Sequence, residues 1–148
     1  MFPSPLTLER HFFSKVEIDS HIDGHLGIPN LFHCDAQLGR AEGAGRRFQI
    51  ILKLKLDSPP EKKATYTGEI HAVGLFRVAD NWPEENVNDL VQVNGCSILF
   101  GAIRELILNL TSRGPWPPVM LNSFSFVRPK DKPQDVVPSE LTPKKAAP

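Results

Sequence analysis

An α+β fold, with a four-stranded antiparallel sheet followed by one long helix, is what this sequence predicts, and three observations predict it. Four segments of strand-like alternation precede any strong helical pattern. No crossover helix lies between them to make neighbouring strands parallel. The one long helical pattern, over 97–113, begins only after all four.

The first strand is expected over 8–18, where Leu8, Phe12, Val16 and Ile18 share the even positions and Glu9, His11, Lys15 and Glu17 fall between them. That is the period of two that buries one face of a strand. The second, over 31–38, sets Phe32, Cys34, Ala36 and Leu38 against His33, Asp35 and Gln37, and Gly39, Gly43 and Gly45 then mark a turn. The third, over 48–56, is the clearest. Phe48, Ile50, Leu52, Leu54 and Leu56 alternate with Gln49, Ile51, Lys53 and Lys55, and Pro59 and Pro60 close it because proline cannot donate to a ladder. The fourth, over 64–78, carries Tyr66, Ile70, Ala72, Phe76 and Val78 on one face, with Thr67, Glu69, His71 and Arg77 opposite.

Beyond Trp82, Pro83-Glu84-Glu85 offers a first helical turn with acids at the positive end of the dipole, for a short helix to Val91. The long helix takes Ser97 as its N-cap and stops at Arg113-Gly114-Pro115, where a basic last turn, a glycine and a proline combine. Leu99, Phe100, Ala102, Ile103, Leu106, Ile107 and Leu110 cover an arc of roughly 160°, wider than the ~100° stripe that docking on one sheet requires. The excess predicts a second subunit on Leu99, Phe100, Ile103, Leu106, Ile107 and Leu110. After Val127, Pro129, Pro133, Pro138 and Pro143 stand among Lys, Asp, Ser and Gln, so residues 1–127 are expected to fold as one domain and 128–148 to form a disordered tail.

Composition excludes several function classes. Lys plus Arg equals Asp plus Glu at 17 each, leaving no net field to draw the molecule onto nucleic acid or an anionic membrane. No apolar run approaching roughly 20 residues stands out to span a bilayer, and Pro3, Pro5, Glu9 and Arg10 break what an export signal would need. A cytoplasmic protein is expected. Cys34 and Cys96 are too few for a disulfide framework and too far apart for a CxxC site, which predicts reduced thiols.

Chemistry-bearing patterns are sparse. His21, His25, His33 and Cys34 cluster locally, but their spacing matches no zinc site, and adjacent strand residues such as His33 and Cys34 point to opposite faces. Neither cysteine has a basic cluster beside it to activate it as a nucleophile. Arg104 and Glu105, as neighbours on a helix, do not face each other. No phosphate loop, G-x-S-x-G or HExxH occurs, so no enzyme, metal or cofactor is predicted. What stands out is apolar material on proline-rigid loops: Trp82, Trp116, Met120, Leu121, Phe124 and Phe126. Beside a sheet such side chains either cap the core or line a groove for extended peptides.

The stretch LFGAIRELILNLTSRGPWPPVMLNSFSF, residues 99–126, resembles the SecB export chaperones. Leu99, Phe100, Arg104, Glu105, Ser112, Arg113, Gly114, the aromatic Trp116, Pro117, Leu121 and Phe126 fall in register with that family's long helix and following loop. Glu69, Gly74, Phe76 and Val78 resemble its last strand, and residues 8–19 its first. The resemblance implies a dimer of dimers with helices between the sheets. It also implies an ATP-independent holdase whose aromatic grooves, here Phe32, Trp82, Trp116, Met120, Leu121, Phe124 and Phe126, hold unfolded or precursor chains. By the same resemblance these pass to the SecA motor, which would meet Asp19 and Glu69.

Two departures accompany the likeness. Lys15 stands where the family has an acid and Thr67 where it has an apolar residue, and the prolines after Phe126 replace a second helix. Divergent SecB-like proteins also serve as dedicated chaperones for the antitoxin of a toxin–antitoxin pair, which gives a second expected role.

Overall fold

The computed structural model describes residues 1–28, 30–43 and 45–127. The tail expected over 128–148 lies outside the described residues. Four antiparallel strands form one sheet in the order β1-β4-β3-β2: β1 (Leu6–Ser20), β2 (Leu31–Arg40), β3 (Arg47–Asp57) and β4 (Tyr66–Val78). The strands β2, β3 and β4 follow one another as a meander, while β1 closes the far side of β4. The segment joining β1 to β2 therefore crosses the end of the sheet, where His21 N donates to Thr65 O and His25 N to Lys63 O, each at 2.9 Å.

Register explains which side chains form the core. Phe48 lies opposite Phe76, Leu52 opposite Ala72 and Leu54 opposite Ile70, so the two inner strands bury their even-numbered residues on one face. Phe32 and Cys34 of β2 join that face through Leu56 and Leu54. In β1 the expected alternation fails. Irregularities between Leu8 and Arg10 and between Phe13 and Lys15 shift the register twice, and an extra residue in a strand flips the parity beyond it. Phe13, opposite Ala72, thus faces the core, whereas Phe12, opposite Val73, turns to the outer face and is 39% exposed.

The helical part differs from the two separate helices expected. A continuous run, Glu84–Thr111, opens with a 3₁₀ turn (Glu84–Asn86) and α1 (Val87–Leu90), passes through a π-helical turn (Val91–Gly95) and continues as α2 (Cys96–Thr111). Ser97 is consequently not an N-cap. Its hydroxyl donates back to Val93 O at 2.6 Å within the run. By length and composition alone this run is apolar enough to cross a membrane, a property that the core helix of a folded domain shares. Here it lies on the sheet, and Gly95 and Gly74 let it come close. A Cβ at Gly95 would collide with Ile50, and one at Gly74 would meet Leu99 at 3.0 Å.

The face of α2 assigned to a second subunit is largely taken by the chain's own sheet. Leu99, Ile103 and Ile107 are fully buried and Phe100 nearly so, while Leu106 and Leu110 are half-buried along one flank and Ile98 is exposed. Each fully buried side chain of this kind contributes roughly 2 kcal/mol. The run ends as expected, with Gly114 N donating to Thr111 O at 3.1 Å.

Candidate functional site

The turn after α2 is held by two buried hydroxyls that the sequence did not advertise. Tyr66 Oη lies 3.1 Å from Thr111 O and accepts from Trp116 N at 3.1 Å. Thr111 Oγ1 donates to Ile107 O at 2.7 Å and accepts from Val119 N at 2.9 Å. These bonds convert the SRGPW motif into a fixed exit from the helix. They direct residues 117–127 back as a strap without regular secondary structure beside α2 and β2. Periodicity could not reveal them, because a period marks which side chains face the core and not what their hydroxyls bond to.

Along the strap the side chains alternate. Val119 and Leu121 are buried, Met120 between them is 62% exposed, and Phe124 and Phe126 are half-buried. Phe124 and Phe126 meet Phe32 of β2 and Phe100 of α2 in one aromatic cluster. Ring centroids lie 6.0 Å apart for Phe32–Phe100, 6.3 Å for Phe32–Phe124, 6.0 Å for Phe100–Phe126 and 4.8 Å for Phe124–Phe126. Edge-to-face and tilted arrangements at these separations favour aromatic pairs beyond simple burial.

The two tryptophans are not brought together. Trp116 sits at the crossing segment, donating its indole N–H to His21 O at 2.8 Å, with Ile22 and Leu26 of that segment exposed nearby in sequence. Ile22 and Leu26 were missed by the sequence reading because two lone apolar residues in a loop carry no period. Trp82 follows the other end of β4, roughly 40 Å along that strand. Its carbonyl is bound by Arg46, and its indole N–H is buried with no partner among the described residues. Trp82 therefore stands apart from the Phe32 cluster.

The edge beside the cluster is unusual. Strand β2 pairs with β3 in unbroken register from Leu31 to Arg40, and its other side has no strand partner among the described residues. It contains no lysine, no proline and no bulge, the devices by which edge strands are ordinarily kept from pairing with other chains.

On the outer face Glu69 is engaged. His71 Nε2 lies 2.7 Å from Glu69 Oε1 and Lys15 Nζ lies 2.9 Å from Oε2. These two contacts, His71 first, hold the Glu69 carboxyl down at about 2. The bond to Glu69 in turn raises Lys15 above its ordinary value. Asp19, paired in register with Thr67, is exposed.

Among the described residues no group of three His, Cys, Asp or Glu is placed to hold a metal ion. Burial pushes the thiols of Cys34 and Cys96 up to about 12, which suits packing rather than nucleophilic work.

The family model described as preprotein translocase subunit SecB matches residues 31–128. The protein-export protein SecB of Nitrobacter winogradskyi is 27% identical over 99 residues, covering 67% of this chain and 62% of that protein. Its counterpart in Afipia carboxidovorans is 28% identical over 90 residues, covering 61% and 55%. The chain thus spans between about half and two thirds of the length of these relatives. Among solved structures, the SecB-like chaperone Rv1957 of Mycobacterium tuberculosis, in complex with a peptide from the HigA1 antitoxin, aligns with a TM-score of 0.63 at 18% identity. That alignment covers 84% of this chain and 93% of the other.

Proposed function

The chain belongs to the SecB family, and from that premise we propose that it is an ATP-independent holdase which keeps unfolded or precursor polypeptides in the cytoplasm competent for Sec-dependent export. The observation that carries this reading is an aromatic cluster set against a ten-residue sheet edge that has no lysine, proline or bulge. An extended client can add its backbone to such an edge and place alternate side chains on the aromatic cluster between β2 and α2. Phe32, Met120, Leu121, Phe124 and Phe126 make up or flank that cluster. Trp116, with Ile22 and Leu26, extends it at one end, and Trp82 stands at the opposite end of β4. No cofactor is needed for this work.

Assembly into a dimer of dimers would use what α2 leaves uncovered, the flank of Leu106 and Leu110 and the exposed Ile98, rather than the buried Leu99, Phe100, Ile103 and Ile107. A SecA-type receptor would meet Asp19 and Glu69. Because Lys15 and His71 already engage Glu69, Asp19 would carry most of that attraction. The test of the main reading is suppression of aggregation of a chemically unfolded protein by stoichiometric amounts of the chain without ATP. Absence of both suppression and peptide binding removes it.

The engaged Glu69 also favours a second reading, a chaperone dedicated to one client such as an antitoxin, since such a protein has no use for the export receptor. The chaperone Rv1957 has been captured with an antitoxin peptide. A pulldown separates the two readings: the dedicated chaperone retains one cognate partner and ignores generic unfolded chains.

A further inference from the structure

Phe32 and Phe100 are each only 4% exposed, and what lies across them is the chain's own strap. Phe124 sits 6.3 Å from Phe32 and 6.0 Å from Phe100, and Phe126 sits 6.0 Å from Phe100. A client cannot reach either ring while these two remain in place. The strap itself has the chemistry expected of a client, backbone outside regular secondary structure with apolar side chains at Val119, Met120, Leu121, Phe124 and Phe126 and polar ones at Asn122, Ser123 and Ser125.

How the strap is attached differs along its length. Its first part is anchored, because Val119 N is bound by Thr111 Oγ1 and both Val119 and Leu121 are buried. Beyond Leu121, among the described residues, no backbone hydrogen bond reaches the sheet or the helix. The one bond there is local, from Val127 N to Ser125 Oγ at 3.4 Å. Asn122 and Ser123, between the two parts, are exposed. Among the described residues, 122–127 are held by the packing of Phe124 and Phe126 and by that one local bond, the kind of attachment that opens locally at little cost.

We propose that residues 122–127 are an intramolecular stand-in for client: Phe124 and Phe126 occupy the aromatic site in the empty chaperone and leave it, pivoting at Asn122 and Ser123, when an extended polypeptide takes their place on Phe32 and Phe100. This rests on the holdase reading and specifies its regulation. Apparent affinity is the intrinsic affinity reduced by the fraction of molecules whose site is open. Short or weakly aromatic segments would thus be rejected, and only clients that out-compete the strap would be retained.

The experiment compares binding of fluorescein-labelled, reduced and carboxymethylated α-lactalbumin to the full chain and to its Phe124→Ala/Phe126→Ala form, with circular dichroism to establish that both are folded. Binding about tenfold tighter in the double variant is expected, corresponding to a site open in about one molecule in ten. Equal or weaker binding by the variant, with the unaltered chain binding well, would overturn the proposal and make both phenylalanines part of the wall. Binding by neither form removes the holdase reading itself, and the strap's role with it. Should the variant not fold, a peptide copying residues 119–127, added in trans to the unaltered chain, should displace the labelled probe. Failure to displace it contradicts the proposal equally.

Discussion

The two edges of the sheet are built to opposite ends. Strand β1 has two register irregularities and carries Glu9, Arg10, Lys15 and Glu17, so its edge is kinked and charged. Strand β2 runs straight, with a single acid and a single arginine among its ten residues, and has an aromatic cluster on its core side. Bulges and dense charge discourage a free strand from joining an edge, and β2 has no bulge and fewer charges than β1. The contrast teaches that the two edges differ in how open they are to another chain, and under the proposed holdase function client would bind on the β2 side.

The largest effect is expected from Phe32→Ala, which removes a buried ring of β2 from the cluster. Loss of about 3 kcal/mol of stability in urea unfolding, together with loss of client binding, would sharpen the contrast. Retained binding would break it. Next comes Gly68→Ala, at which an added Cβ would run into the Glu17 carbonyl of β1. Overpacking of this kind costs about 2 kcal/mol and should loosen β1 while leaving client affinity within about twofold. Amide hydrogen exchange along β1 and a binding isotherm read the two halves of that statement.

A smaller effect is expected from restoring edge protection to β2. Asp35→Lys with Gln37→Lys places cations along the open edge, where residues 35 and 37 are exposed. Stability should change by less than about 1 kcal/mol, whereas client affinity should fall several-fold. Unchanged affinity would show that client binding does not use the edge.

The smallest effect concerns pH on the β1 side. Because Glu69 is held at about 2 in the folded chain, below its ordinary value of 4.5, it contributes stability that is present above about pH 4.5 and lost as pH falls towards about 2. Lys15→Ala removes the Lys15 contact but keeps that of His71, so Glu69 should titrate higher and the acid limb of the stability curve should flatten. A carboxyl NMR titration follows it directly. Client binding near neutral pH should not change.

Much of this architecture was legible. The even positions of β3 and β4, the stop at Gly114 and the long helix follow from period and punctuation, which local sterics impose wherever they occur. Parity in β1 was not legible, because a bulge looks like any other residue until pairing places it, and so Phe12 and Phe13 exchanged faces. The helix start at Ser97 failed because a polar N-cap residue is equally content to bond back to Val93 inside a longer run. Wheel geometry does not say how much of α2 one sheet will cover. Gly74 and Gly95 let this sheet cover Leu99, Ile103 and Ile107 completely. The phenylalanines of the site were visible in the sequence, but their joint packing depends on Tyr66 and Thr111 turning the chain back, a contact 45 residues apart.

Leu38 on β2 and Phe12 on β1 are almost equally exposed, at 40% and 39%, and make a matched pair of probes. With a photoreactive phenylalanine analogue at one or the other position and an unfolded client present, illumination should yield client adducts at 38 and few or none at 12. Adducts concentrated at position 12 would contradict the assignment of client to the unprotected edge.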